Sequence, residues 1–364
     1  MRHILYSFLL IAIVGSSCQK KVLDIDPEDL LSSDLAFSTP EKIEANVIAS
    51  YDGLQSKDFL SGRALIYVDL LAEDIFDRTT FFAELPRYNL LSNSSTVAGV
   101  WTAGYDAVGR ANRAIAGITA NSSKLTAGKA KELIAECKFV RAVSNFYLVN
   151  FFAQPYNFTS DASHPGIPLI TASYTFNDPD ANKPKSTVAD IYTAVITDLT
   201  DAVADLPLTY NNIYNNKTRG TKAAASSFLS RVYLYKGDYT NARKFALDVI
   251  NGNYGAFALN STVDAAFIPA NKYQTVETVW SIPNNINDNP NTNNALGQHY
   301  NPSARADLAI SSTFLNETTN KFFAPDDKRR GLIISGAGSL ATFRFTGKYT
   351  NLSDWAPIMR YAEV

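Results

Sequence analysis

Residues 216–250 read NKTRGTKAAASSFLSRVYLYKGDYTNARKFALDVI, and this stretch decides the fold. Residues 223–236 are rich in alanine and contain no breaker, which predicts a helix. Gly237-Asp238 interrupts it, and residues 239–250 predict a second helix. Ala224, Ala225 and Ser226 are small enough to let that second helix come close with Ala242, Phe245, Ala246 and Val249. Two helices joined by a short turn form the unit of tetratricopeptide arrays. No regular period recurs along the chain, so further units are degenerate and separated by loops.

The same periodicity extends upstream. Thr39-Pro40-Glu41 predicts a helix start, with Thr39 as cap and Pro40 in the first turn. Ile43, Val47, Tyr51 and Leu54 then fall on one face. Val100, Trp101, Tyr105, Val108, Ile115 and Ile118 mark a second helix. Residues 129–152 predict a third, apolar nearly all round from Val140 onward, which places it at the centre of the fold. Val188, Ile191, Tyr192, Val195, Leu199, Ala202, Val203 and Leu206 form the cleanest stripe. It opens at Thr187 with Asp190 three residues on and stops at Pro207. The fold class expected is mostly α, with tetratricopeptide-like helix pairs, long loops and minor β-hairpins. Trp101 and Trp280 read as core residues, the tyrosines at 233 and 235 as packing groups, and Trp355 as either an exposed side chain or a loop anchor.

The N-terminus fixes a compartment. Arg2 and His3 precede an apolar run from Ile4 to Val14, and Gly15, Ser16 and Ser17 lead to Cys18. A basic start, an apolar stretch of this length and small residues at the cut predict a secretory signal, too short for a membrane span. A cysteine at the cut predicts a bacterial lipoprotein, with Cys18 acylated. Acyl chains at roughly 0.8 kcal/mol per buried CH2 would then be the only membrane contact, and two or three of them hold firmly. Residues 1–17 are read as the signal, 18–36 as a polar tether, 37–255 as the helical region and 256–364 as a loop-rich region.

Composition removes several classes. There are 2 cysteines, so with Cys18 lipidated Cys137 stands alone and no internal disulfide forms. The chain is 46% hydrophobic, 12% aromatic and only 19% charged, which is enough to bury a core. Its net charge of −2 excludes a nucleic-acid or anionic-membrane surface as the main theme.

In residues 216–250 the Arg219-Gly220-Thr221-Lys222 turn leads into an Ala-rich helix ending in Arg231 to Leu234 (RVYL). This resembles the signature of SusD/RagB proteins, outer-membrane nutrient-binding lipoproteins of Bacteroidetes. Residues 18–27 (CQKKVLDIDP) are similar to the family's mature start, and Phe37-Ser38-Thr39 to the head of its first helix. Trp101, Tyr105, Ala111 and Asn112 resemble its second helix, residues 137–149 (CKFVRAVSNFYLV) its central one. Asp327-Lys328-Arg329 and residues 357–364 (PIMRYAEV) resemble later motifs. The order of these pieces is more specific than any one of them. The resemblance implies a cell-surface protein that captures oligosaccharide and delivers it to a SusC-type TonB-dependent transporter, with peptide binding or a purely protein-interaction scaffold as the alternative. It also implies that members continue past the last motif. On that reading residues 357–364 open a helix whose stripe, Tyr361 and Val364, has nothing beyond it, and apolar surface is expected nearby.

A glycan binder needs aromatic faces for sugar C–H surfaces and polar groups for hydroxyls. Two loops offer both. The first, 74–93, carries Asp74, Asp77, Arg78, Phe81, Phe82, Arg87, Tyr88 and Asn89. The second, 283–302, carries Asn284, Asn287, Asp288, Asn293, His299 and Tyr300. An Asn-rich stretch is also what a solvated, turn-forming loop requires.

Catalysis finds little support. No His-Glu-x-x-His, Gly-x-Ser-x-Gly or phosphate loop occurs, and of three histidines His3 leaves with the signal, so no metal and no cofactor is expected. Residues 336–341 (GAGSLA) mimic a dinucleotide fingerprint, but β-prone ATFRF follows where a helix is required, so a hairpin turn is expected. Glu73, Asp74 and Asp77 offer a glycosidase-like carboxylate spacing, more simply read as a solvated helix end.

Overall fold

The computed structural model describes residues 33–88, 90–174, 178–268, 270, 274–316 and 323–364. The helical body comprises α1 (Pro40–Leu54), α2 (Arg63–Leu71), α3 (Ser95–Ala120), α4 (Ala127–Phe152), α5 (Val188–Asp205), α6 (Ile213–Thr218), α7 (Lys222–Lys236) and α8 (Tyr239–Ile250). The start signals act as read. Thr39 Oγ1 accepts from Lys42 N and Thr187 Oγ1 from Asp190 N; Thr221, which the sequence reading did not single out as a cap, likewise accepts from Ala224 N at the head of α7. Gly237 closes α7 with φ +80°, a left-handed cap that glycine adopts without a Cβ penalty.

Successive helices pack as neighbours, α1 on α3, α3 on α4, α4 on α5, α5 on α7 and α7 on α8. Helix α4 lies at the centre, and Phe139, Val140, Ala142, Val143 and Leu148 are wholly buried. Small residues set the approach distances. A Cβ on Gly53 would stand 2.7 Å from Ala107 Cα, so α1 and α3 meet at that spacing only with glycine there. Ser226 and Ser230 hydroxyls of α7 donate to the Phe245 and Ala242 carbonyls of α8, each at 2.9 Å.

The polar residues of the motifs hold this body together from within. Arg219 binds both oxygens of fully buried Glu136, at 2.8 and 2.6 Å, and reaches Glu44 at 2.7 Å. Tyr51 donates to Glu136 and accepts from Gly220 N, and Lys222 Nζ binds the Val203 and Ala204 carbonyls at the end of α5. Arg141 grips Asp198 through two 2.8 Å bonds and also donates to Asn112. Arg231 joins Glu363, the Tyr147 hydroxyl and the Ile358 carbonyl, tying α7 to residues near position 360. Removing one partner of such a buried pair leaves an uncompensated charge, typically a loss of about 3–5 kcal/mol.

Beside the body lie short strands β1 (Ile75–Asp77), β2 (Pro165–Pro168), β3 (Lys185–Thr187), β4 (Thr278–Ile282), β5 (Leu308–Ile310), β6 (Ile333–Ser335), β7 (Arg344–Thr346) and β8 (Ala356–Arg360). They form four antiparallel pairs, β1–β5, β2–β3, β4–β8 and β6–β7. The glycine stretch at 336–338 turns the β6–β7 hairpin, as the β-prone residues after it require. Residues 356–360 are a strand instead of a helix start, because β4 offers them a ladder; a turn follows at 361–363. Trp280 is buried with Nε1 donating to the Thr218 carbonyl, and Trp355 is a buried anchor donating to Asn284 O at 2.9 Å. Trp101 is half-buried against Phe152 and Tyr105. Tyr233 stacks on Phe245, whereas Tyr235 is largely exposed. Among the described residues no helix is long and apolar enough to cross a membrane.

Candidate functional site

Pairing of β1 with β5, Ile75 opposite Ile310 and Asp77 opposite Leu308, brings the two candidate loops into one seam. Asp77 is consumed in building it. Its carboxylate accepts from Thr79 N at 3.0 Å and Phe82 N at 2.6 Å, which closes the turn after β1. Arg78 crosses to the second loop, its backbone N–H on Asp307 O and its Nε on Ala306 O. Thr79 Oγ1 donates to Asp307 Oδ1 at 2.7 Å.

Asp307 is the polar centre of the seam. Its other oxygen accepts from Arg305 Nε at 2.7 Å and stands 2.8 Å from His299 Nδ1. Burial works against the carboxylate charge, but the bonds from Arg305, Thr79 and His299 outweigh it and hold Asp307 below its usual range. His299 is wholly buried, with Nε2 2.9 Å from the Asn293 carbonyl. Burial pushes its pKa below the ordinary value against both hydrogen-bonding partners.

Above this centre stands Phe81, 40% exposed. The Arg305 guanidinium lies 4.4 Å from its ring centroid and Arg63 lies 5.9 Å away, with His299 at 5.4 Å. Arg305 also donates to the Asn293 side chain at 3.0 Å. A part-exposed aromatic ring, a guanidinium and an amide are the inventory for a sugar's C–H face and hydroxyls.

The other candidates divide by burial. Phe82 is buried against Tyr67 and His299 and serves as packing. Asn284 is buried, accepting from Ser61 and donating to the Asp354 carbonyl, so both ends of its amide are occupied. Asn287 is exposed within an Asn-rich turn, and Asp288 accepts at 3.0 Å from Gln55, the residue that caps the end of α1. These two sit on the side of the second loop that touches α1. Arg87 and Tyr88 are exposed, and the Tyr88 hydroxyl donates to Glu73 at 2.8 Å. Asp74 and Tyr300 face a different space, a cleft of about 890 Å3 shared with Ile75 and Ile310. Cys18 and Asn89 lie outside the described residues. Among the described residues no group of three or more His, Cys, Asp or Glu side chains is placed to hold a metal ion.

Backbone strain gathers at the seam. Six described non-glycine residues have positive φ, and five of them, Glu73, Thr80, Tyr88, Asn291 and Ala306, lie in or beside the two loops. Such conformations cost about 1–3 kcal/mol each and cluster where function holds the backbone in place. Arg305 and Arg63 were not singled out from sequence. Arg305 sits three residues past the second loop's assigned end, and Arg63 opens α2, an apolar run too short to be read as helix or strand.

A family model described as starch-binding, associating with outer membrane, matches residues 23–234. The chain belongs to the SusD-like family. It is 28% identical over 255 residues to a SusD-like protein P2 of Formosa agariphila, covering 68% of this chain and 46% of that one. A SusD-like protein of Bacteroides ovatus is 23% identical over 266 residues, covering 68% and 45%. The chain thus spans about half the length of the curated relatives it matches. A SusD superfamily structure from Bacteroides thetaiotaomicron superposes with a TM-score of 0.78 at 21% identity, over 89% of this chain and 74% of the other. A structure named as a laminarin-binding SusD-like protein gives 0.70 at 16%, over 89% and 78%. At these identities the superpositions show the shared helical fold.

Proposed function

We propose that this SusD-like protein binds oligosaccharide at the seam of its two loops, without cleaving it, and passes it to a SusC-type TonB-dependent transporter of the outer membrane. The observation that carries this reading is the exposed Phe81 ring flanked by Arg305, over a seam where the neighbouring carboxylates are already engaged. Asp77 and Asp307 are saturated with protein donors, which suits them to hold the loops and unsuits them to act as a glycosidase pair. The family's description as starch-binding and a structural neighbour named as laminarin-binding support glycan as the ligand class. The lipoprotein-like start supports Cys18 as an acylated mature N-terminus holding the protein on the membrane.

The test is a calorimetric titration of the chain with maltoheptaose and laminarihexaose, with chromatography of the sugar afterwards. Binding with intact sugar, weakened at least tenfold (about 1.4 kcal/mol) by Phe81→Ala, is expected. Hydrolysis abolished by Asp74→Ala or Asp77→Ala would overturn the reading. Mass spectrometry of protein extracted from membranes should find lipid on Cys18; an unmodified thiol there removes the anchor.

A further inference from the structure

We propose that the cleft at the Ile75–Ile310 end of the β1–β5 ladder is a second sugar site, shaped for an uncharged polyhydroxyl residue and separate from the seam at the Asp77–Leu308 end. At about 890 Å3 it falls in the range of small-ligand pockets, roughly 300–1,000 Å3. It lies between α2, the end of α4, α7 and the strands after residue 332.

Its polar equipment is concentrated in four residues. Asp69 of α2 accepts from the Tyr300 hydroxyl at 2.5 Å. Tyr349 packs against Tyr300 with ring centroids 5.8 Å apart. Lys348 lines the same wall; its Nζ makes no hydrogen bond or ion pair with any described residue and lies over the Phe267 ring, 5.4 Å from the centroid. The ammonium and the carboxylate feel each other's charge without touching. Burial pushes Lys348 down, helped by Arg360 and Arg329, while Asp69 opposes the shift. Burial pushes Asp69 up, while Tyr300 and Lys348 oppose it.

A hydroxyl group completes such a pair, because it donates to a carboxylate and accepts from an ammonium in one place. Neighbouring ring hydroxyls repeat that pattern, and Phe151 and Tyr349 supply apolar faces for the sugar's C–H groups. The remaining charges argue against an ionic ligand. Arg231 is held by Glu363 and Arg329 by Asp327, so a carboxylated sugar would meet Asp69 and Asp74 with only Lys348 to balance them.

Calorimetry on the full chain with maltoheptaose, laminarihexaose and xylohexaose, and with trigalacturonate as the charged probe, tests this. The expected result is binding of a neutral probe that Lys348→Met and Asp69→Asn each weaken about tenfold or more while Phe81→Ala leaves measurable binding in place, and no such response to trigalacturonate. Lys348→Met keeps the apolar stem and removes an amine that among the described residues makes no hydrogen bond or ion pair, only the contact with the Phe267 ring and the charge of Asp69, so its melting curve should stay close to that of the parent. If both cleft variants bind every probe like the parent, the cleft proposal is overturned and the seam reading stands. Loss in the cleft variants with no effect of Phe81→Ala keeps the cleft and removes the seam. A parent chain that binds none of the probes overturns both.

Discussion

The helical body and the loop layer are stabilised in different ways. In the body, charged residues go inward. Glu136 is wholly buried, Arg219 and Arg141 nearly so, and bidentate pairs join Glu136 of α4 to Arg219 in the turn before α7 and Arg141 of α4 to Asp198 of α5. In the loop layer, backbone groups and short side chains do the joining: Asp77 on amide hydrogens, Asn284 between Ser61 and Asp354, and Trp355 on a carbonyl. The strained backbone is there too. Most of the motifs that mark the family fall in the first region and report a scaffold, whereas the ligand contacts proposed lie mainly in the second, with Arg63 and Asp69 of α2 and Phe151 of α4 reaching in from the body.

The largest effect separating the two regions should come from Arg219→Met. It leaves Glu136 buried without its guanidinium, with tyrosine hydroxyls as its remaining donors, and a loss of about 3–5 kcal/mol in urea or thermal unfolding is expected. A loss under about 1 kcal/mol would show that this ion pair does not hold the body as described. Asn284→Ala should cost less, about 1–3 kcal/mol for the buried groups it leaves unpaired. Its damage should be local, with faster hydrogen exchange at residues 351–356 and an unchanged α4; uniform exchange across both regions would erase the distinction. The smallest effect concerns pH. Asp307 is held below its unfolded value of about 3.9. Its ionised form therefore contributes stability that is complete above about pH 4 and fades as pH falls through the folded pKa. Asp307→Asn should flatten that acid limb while leaving the slope near neutrality alone; an unaltered limb would remove Asp307 from the account.

The body was legible because helices carry their instructions locally. Thr39 and Thr187 cap where their spacing says they should, and the apolar run after Val140 is buried as its lack of a polar face requires. The loop layer was legible in position but not in detail. Phe81 and His299 meet through a ladder between residues more than 230 positions apart, and no periodicity encodes such a pairing. The same holds for β8, where residues 356–360 form a strand because distant β4 offers them hydrogen bonds. Asn284 shows the limit of residue type as a guide: an asparagine in an Asn-rich loop is indistinguishable, in sequence, from one that recognises a hydroxyl, yet both ends of its amide are taken by Ser61 and Asp354. Arg305 and Lys348 lie outside the loops singled out, and what gives each its role is a neighbour from elsewhere in the chain.

The central claim is that ligand is held by the loop layer and carried by the helical body. Hydrogen exchange of the chain, with and without saturating oligosaccharide identified by titration, tests it most directly. The account predicts slowed exchange at residues 78–88 and 293–307, together with 346–349 where the cleft is occupied, and none along α5 and α8. Protection confined to those helices, with the loops unchanged, would contradict it.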